Sequence, residues 1–257
     1  MLDVLNRVDG RVLIFVMLMA NYVSLEFPPG QEEYLQLAKQ FMNPDWIPES
    51  NSLTQFAGSR ILFQIIVGTC LNYIPFEATF IVFLLLLCGL LALALEPIRR
   101  LLGFRSLAFV ALIQAFYLPH QSFFAGGWIF AGVEPKHFAY VFLFISLAYI
   151  LKSRFTSAAI LLVCATYFHV LIGGWSFIVL AFYLVIFEKI QVRKLINIGG
   201  LYVVCVLPLA LYIFQGMIIL SSPSVINGVN TDWVYSYFRH PHHSGLLVWL
   251  ILSIVYV

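Results

Sequence analysis

The sequence predicts an all-α protein that crosses a membrane several times, and three observations support this fold class. Of the 257 residues, 62% are hydrophobic and only 10% are charged, and the mean hydropathy is +0.95. Soluble domains contain about 45–50% apolar and about 25% charged residues. Apolar runs long enough for a membrane helix recur along the chain, without the alternating pattern of a membrane β-strand. We therefore expect a polytopic integral membrane protein, with residues 1–257 forming a single transmembrane domain.

The distribution of basic residues predicts how the chain is threaded. The segment 58–75, "SRILFQIIVGTCLNYIPF", carries Arg60, Gln64 and Asn72 and stops at Pro75. If it lies on the outer face as a re-entrant or juxtamembrane helix, ten of the fourteen Lys and Arg residues fall on one side: Arg7, Arg11, Arg99, Arg100, Arg105, Lys152, Arg154, Lys189, Arg193 and Lys194. Cytoplasmic loops collect such residues. The N-terminus is then cytoplasmic, and the outer loops span about 26–57, 120–136 and 215–244.

This threading makes residues 155–187 a helical hairpin, because basic groups flank both of its ends. Its apex is "HVLIGGW", where Gly173 and Gly174 permit a tight turn. All six histidines and eight of the twelve acidic residues then lie at the outer face, so the polar chemistry is concentrated on one side.

The first outer loop contains "GQEEYLQLAKQFMNPDWIPES", whose apolar spacing predicts an amphipathic helix over 31–42 that ends at Asn43-Pro44. Glu32 and Glu33 occupy its first turn. They either complement the helix dipole or form a carboxylate pair directed at a site below the loop.

The second outer loop ends in "GVEPKHFAY", where Pro135 suits the first position of a helix. Glu134 is then a helix cap, an ion-pair partner of Lys136, or an acid that acts as a general base or orients a ligand. His137 follows in the same turn.

Two further polar residues stand in apolar surroundings. His169, at the hairpin apex, is either a hydrogen-bonded interfacial residue or part of a site. Arg60 either extends to lipid head groups or binds a phosphate.

The third outer loop ends in "YFRHPHHSG", which contains Arg239, His240, His242 and His243. Zinc requires three or four ligands in a tetrahedral array, and these spacings match no common zinc motif. An arginine beside imidazoles favours a phosphate-binding edge, with a metal at His242 and His243 as the secondary interpretation.

The succession of "GQEEYLQLAKQFMNPDWIPES", "RILFQIIVG", "LALALEPIRR", "GVEPKHFAY", "YFHVLIGGW" and "WVYSYFRHPHHSG" resembles the GT-C superfamily of membrane glycosyltransferases. That superfamily includes aminoarabinose transferases and protein O-mannosyltransferases. A group of uncharacterised bacterial membrane proteins with a GT-C-like outline is more similar still. The resemblance covers nearly the whole chain in the order of its features.

The resemblance implies a GT-C-like helical bundle and inverting sugar transfer from a polyprenyl-phosphate carrier at the outer face of a bacterial cytoplasmic membrane. The implied catalytic carboxylates are Glu134, Glu32 and Glu33. The implied phosphate- and substrate-binding residues are Arg60, Lys136, His137, His169, Arg239, His240, His242 and His243. The implied partners are the bilayer, the polyprenyl-phosphate lipid and a sugar acceptor, without nucleic acid. The resemblance assigns no particular cofactor, and a divalent cation is compatible with the histidines.

Two other classes stay open. One is a transporter or a non-catalytic lipid-binding module, although the helix interiors carry few of the polar groups that transport needs. The other is a metal-dependent membrane enzyme. The chain stops inside the apolar stretch "GLLVWLILSIVYV", so we expect it to be a fragment of a longer protein.

Overall fold

The computed structural model describes residues 8–21, 31–48, 58–120 and 132–220, and all regular structure in these ranges is helical. The described part contains nine α-helices: α1 (Gly10–Asn21), α2 (Gln31–Met42), α3 (Ile61–Leu71, after a 3-10 turn at Gly58–Arg60), α4 (Phe76–Leu101), α5 (Ser106–His120), α6 (Pro135–Ile150), α7 (Phe155–Phe168), α8 (Val170–Ile186) and α9 (Val192–Leu220). The all-α prediction is confirmed there. Residues 215–220, which were expected to begin the third outer loop, are helical and end α9, because their apolar run continues the helix; the rest of that loop and the last apolar stretch lie outside the described residues.

Prolines determine where helix α2 ends and where helix α6 begins. Helix α2 has the predicted bounds and stops before Pro44, because the residue preceding a proline disfavours helical backbone. The Gln40 side chain stabilises the following turn: its Nε2 donates to the Pro44 carbonyl at 2.6 Å. Helix α6 starts at Pro135 with Glu134 as its N-cap, as predicted.

The predicted hairpin is present as the helices α7 and α8, but its turn differs from the expectation. The chain reverses at His169, whose backbone is extended (φ −156°), and not at the glycines. Gly173 lies in the first turn of α8, where an added Cβ would be only 2.5 Å from Thr166 Cα of α7. Gly173 is therefore required for close helix packing, whereas Gly174 has open space beside it.

From α4 to α9, consecutive helices run in opposite directions, so the bundle has two ends. At one end, which we call the basic end, Gly10 at the start of α1 lies against Arg99 near the end of α4. There Ser146 of α6 also donates to the Ala158 carbonyl of α7. At the other end, which we call the Arg60 end, Asn21 of α1 and Gln114 of α5 pair through their amides at 2.9 and 3.2 Å.

Helices α2 and α3 lie together at the Arg60 end. An added Cβ on Gly68 of α3 would come within 2.8 Å of the Ala38 carbonyl carbon of α2, so the two backbones are almost in contact. Phe63, two residues into α3, lies beside Phe138 at the start of α6, with ring centroids 5.9 Å apart.

Two hydrophobic clusters form the interior. The larger joins α1, α3, α4 and α6 around Leu87, Leu91 and Phe63. The smaller joins α7, α8 and α9 around Leu162 and Leu180. Large apolar side chains are also exposed along α4 and α9.

Among the described helices, Phe76–Leu101 and Val192–Gly216 are long and apolar enough to cross a membrane, with mean hydropathies of 2.9 and 2.1 over their most apolar windows. The first is largely packed inside the bundle, and the second is mostly exposed.

Candidate functional site

Aromatic packing brings three separate segments together at the Arg60 end. Phe138 of α6 stacks on Phe168 of α7 at a centroid distance of 5.6 Å and tilts against Phe63 of α3 at 5.9 Å. Each ring lies close in sequence to a polar candidate, since His137 precedes Phe138 and His169 follows Phe168. The polar residues of the three segments therefore gather around one aromatic core, and we call Arg60, Glu134, Lys136, His137 and His169 the polar cluster.

Arg60 is half-buried and precedes the first residue of α3. Its guanidinium carbon lies 5.0 Å from the ring centroid of Tyr34 in α2, a cation–π contact. Its Nε is shielded from solvent and has no hydrogen-bond partner among the described residues. One turn later, Gln64 is only 1% exposed, and its Oε1 also has no partner there.

Buried polar atoms without partners are rare, because leaving such a group unpaired costs about 1–3 kcal/mol. One of these two atoms is a donor on a cation and the other is an acceptor. A ligand that carries both an acidic oxygen and a hydroxyl group would satisfy both.

Glu134 and Lys136 form an ion pair at the start of α6. Lys136 Nζ lies 2.9 Å from Glu134 Oε2, and both side chains are largely shielded from solvent. Glu134 is the N-cap residue, but its side chain caps no backbone N–H. The structure thus has the ion pair that the sequence allows, and the carboxylate stays at the mouth of the helix.

His137 is fully buried, and its Nδ1 contacts the Gly132 carbonyl at 2.5 Å. A carbonyl oxygen can only accept, so Nδ1 carries the proton and donates. Gly132 has φ +110°, a backbone conformation that side chains other than glycine rarely adopt. The glycine of "GVEPKH" is therefore needed to direct its carbonyl at His137.

His169 caps α8, because its Nδ1 accepts from the backbone N–H of Ile172 at 3.5 Å. Burial, with smaller electrostatic contributions from Lys136, Arg60 and His137, lowers the pKa of His169 to about 4. The imidazole is thus neutral near pH 7. Since Nδ1 accepts, its remaining proton is on Nε2.

The polar cluster therefore combines two cations, Arg60 and Lys136, with the neutral imidazole of His169, the buried imidazole of His137 and the Glu134 carboxylate. Such a set can bind a phosphate by charge and hydrogen bonds, while the carboxylate can accept a proton. Burial strengthens both interactions, because the local dielectric is low.

Other predicted site residues are not part of this arrangement. Glu33 is exposed in the first turn of α2, and the described residues offer it no ion pair. The catalytic role that the resemblance implies for Glu33 stays a prediction. The side chain of Glu32 lies outside the described residues, as do Arg239, His240, His242 and His243. Within the described ranges, no group of three or more His, Cys, Asp or Glu side chains could hold a metal ion.

Two residues of this region were not predicted as site residues. Gln64 is an amide in an otherwise apolar helix, which is a usable signal for a buried polar role. Tyr34 fits the apolar face of α2, so its contact with Arg60 is not visible in the pattern.

A second polar group, also not predicted as a site, lies at the basic end. The Glu96 carboxylate is 3% exposed and accepts from Arg99 at 2.7 and 2.8 Å and from Arg100 at 2.6 Å. Arg99 Nη1 also donates to the Phe104 carbonyl. These contacts connect the end of α4 to the turn that follows it.

No known family model, curated protein or solved structure matches this chain.

Proposed function

We propose that the chain is a multi-pass membrane protein with its basic end in the cytoplasm. The exposed apolar side chains of α4 and α9 support this location. So does the charge distribution, because Arg99, Arg105, Lys152 and Lys194 all belong to helix ends or turns at the basic end. The polar cluster would then face the extracytoplasmic side.

At that face we propose a GT-C-like glycosyltransferase site that takes a polyprenyl-phosphate-linked sugar. One observation carries the proposal: Lys136 pairs with the Glu134 carboxylate, Lys136 and Arg60 both lie close enough to act on a neutral His169, and the buried Nε of Arg60 has no partner among the described residues. The oxygens of a phosphodiester or phosphomonoester can accept hydrogen bonds from these donors. The apolar helix surfaces suit a prenyl chain.

The proposed reaction moves one glycosyl group. The acceptor hydroxyl attacks the anomeric carbon, a new C–O bond forms, and the bond from that carbon to the phosphate oxygen breaks. The electron pair leaves with the polyprenyl phosphate, whose charge Arg60 and Lys136 neutralise. As Lys136 turns from Glu134 towards the phosphate, the Glu134 carboxylate becomes free to take the hydroxyl proton.

The test separates binding from transfer. Purified Arg60→Gln should bind polyprenyl phosphate about 10- to 100-fold more weakly, because a charge-assisted hydrogen bond is lost. Glu134→Gln should bind it within a few-fold of wild type, yet lower turnover of labelled polyprenyl-phosphate sugars about 100-fold or more. Arg154→Gln, an exposed cation at the basic end, is the matched control and should change neither.

Unchanged binding by Arg60→Gln would contradict the proposed phosphate site, and unchanged turnover by Glu134→Gln would contradict the role of Glu134 as the base. A non-catalytic lipid-binding role is the second candidate, favoured by the existing ion pair of Glu134 with Lys136. Binding that depends on Arg60, without turnover of any donor in the panel, would select that role.

A further inference from the structure

The basic end contains a cavity of a different character from the polar cluster. It has a volume of about 380 Å³ and lies between the end of α4, the start of α1 and the turn after α6. Its lining residues are Arg11, Leu93, Glu96, Pro97, Arg100, Leu101 and Lys152. Three cations and one acid thus face the same space, beside an apolar wall.

Glu96, the one acid among the lining residues, does not neutralise all three of the lining cations. Both oxygens of Glu96 already accept hydrogen bonds from Arg99 and Arg100. Arg100 uses only its Nε in this pair, and its side chain is 61% exposed. Lys152 has no ion-pair partner among the described residues, so Arg100 and Lys152 both present unused donors.

The remaining cation, Arg11, is held in position by Asp9. Its Nε contacts both carboxylate oxygens at 3.1 Å, and Nη2 contacts Oδ2 as well. The hydrogen bonds from Arg11 hold the pKa of Asp9 well below its usual range, so this pair is ionised at neutral pH. Arg11 Nη1 makes none of these contacts.

The apolar wall of the cavity continues along one face of α4. Leu93 is 53% exposed, and Leu86 and Val82 are also exposed, with spacings of seven and four residues that keep them on one side of the helix. Arg100 lies on the same side, one turn beyond Pro97. A cationic pocket therefore opens onto an apolar strip about three turns long.

We propose that this cavity binds the headgroup of an anionic diacyl phospholipid, with Arg100, Lys152 and Arg11 on its phosphate and an acyl chain along Leu93, Leu86 and Val82. The unused donors can bind the phosphate, and the apolar strip can contact the acyl chain that lies next to it. The inference rests on the membrane location proposed above, but not on glycosyl transfer.

The experiment uses the whole chain in a neutral detergent and measures binding of phosphatidylglycerol, phosphatidylcholine and inorganic phosphate. The double variant Arg100→Gln/Lys152→Gln should weaken phosphatidylglycerol binding about 25-fold, at about fivefold for each charge removed. The matched control, Lys189→Gln/Arg193→Gln, removes two exposed charges at the same end outside the cavity and should change binding less than twofold.

A single Lys152→Gln variant should fold normally, because the Lys152 side chain forms no ion pair with the described residues that the substitution could disrupt. It should weaken binding about fivefold. Equal losses in both double variants, or equal affinity for phosphatidylcholine, would overturn the proposal. Inorganic phosphate that binds as tightly as the lipid would also overturn it, in favour of a free-phosphate site.

Membrane insertion is measured separately, by co-flotation with phosphatidylcholine vesicles. A chain that inserts but shows no preference for phosphatidylglycerol refutes the lipid site alone. A chain that does not insert refutes the membrane location.

Discussion

The close contact between Gly173 and Thr166 predicts that alanine at two neighbouring glycines changes the stability of the fold in opposite directions. Replacing Gly173 with alanine places a Cβ 2.5 Å from Thr166 Cα, whereas ordinary van der Waals contact begins at 3.4 Å. The obstacle is backbone and cannot rotate away, so α7 and α8 must move apart by about 1 Å. The neighbouring Gly174→Ala meets no atom within 4 Å.

The free energies follow from two opposing effects. Alanine in place of glycine within a helix stabilises by about 1 kcal/mol or less. Overpacking a tight interface costs about 1–3 kcal/mol, and a backbone obstacle belongs at the upper end of that range. We therefore expect Gly173→Ala to lose about 2 kcal/mol net, and Gly174→Ala to gain about 0.5–1 kcal/mol.

The assay is reversible unfolding of the purified chain in detergent, with the free energy of unfolding extrapolated to zero denaturant for wild type and both variants. Because Thr166 is three residues from His169, Gly173→Ala should also weaken polyprenyl-phosphate binding, while Gly174→Ala should not. Equal free energies for the two variants would refute the close approach of α7 and α8.

Three further predictions concern stability. The pKa of His169 is about 4 in the folded chain against 6.5 when unfolded, so the unfolded state binds the proton first. Stability should therefore fall as the pH drops from 6.5 towards 4, by about 2 kcal/mol at about pH 5, and His169→Asn should abolish this dependence in pH-resolved unfolding. Glu96→Gln should lose about 3 kcal/mol, because it leaves Arg99 largely buried without its carboxylate; the exposed Glu188→Gln is the control in the same melts. Gly68→Ala should expose α2 to proteolysis, whereas Gly89→Ala, with open space beside it, should leave the digestion pattern unchanged.

The sequence predicts element ends well where a residue has one dominant local effect. Pro135 and the Asn43-Pro44 pair determine their helix boundaries through restricted backbone angles. The hairpin turn does fall within "HVLIGGW", but at His169 and not at the glycines, because glycine favours turns in general whereas Gly173 is used here for helix contact. A single sequence cannot distinguish these two uses.

The polar cluster could be predicted only in part. The one-sided distribution of charge places Arg60, Lys136 and His169 at one face, but their convergence depends on the packing of Phe138 against Phe63 and Phe168. The Glu96 contacts follow the three- and four-residue spacings of a helix and were available from "EPIRR". The approach of Gly10 to that cluster depends on tertiary structure alone.

The Thr166 hydroxyl connects α7 to α9. It donates to the Leu162 carbonyl at 2.7 Å, so the Tyr202 hydroxyl of α9 must be the donor in their 2.7 Å contact. Among the described helices, α9 is one of two that are long enough to cross a bilayer, and membrane helices tilt when the bilayer thickness does not match their apolar length. In the proposed membrane location, a change in tilt of α9 would shift Thr166 and, three residues later, His169, so the geometry of the polar cluster would depend on the thickness of the surrounding membrane.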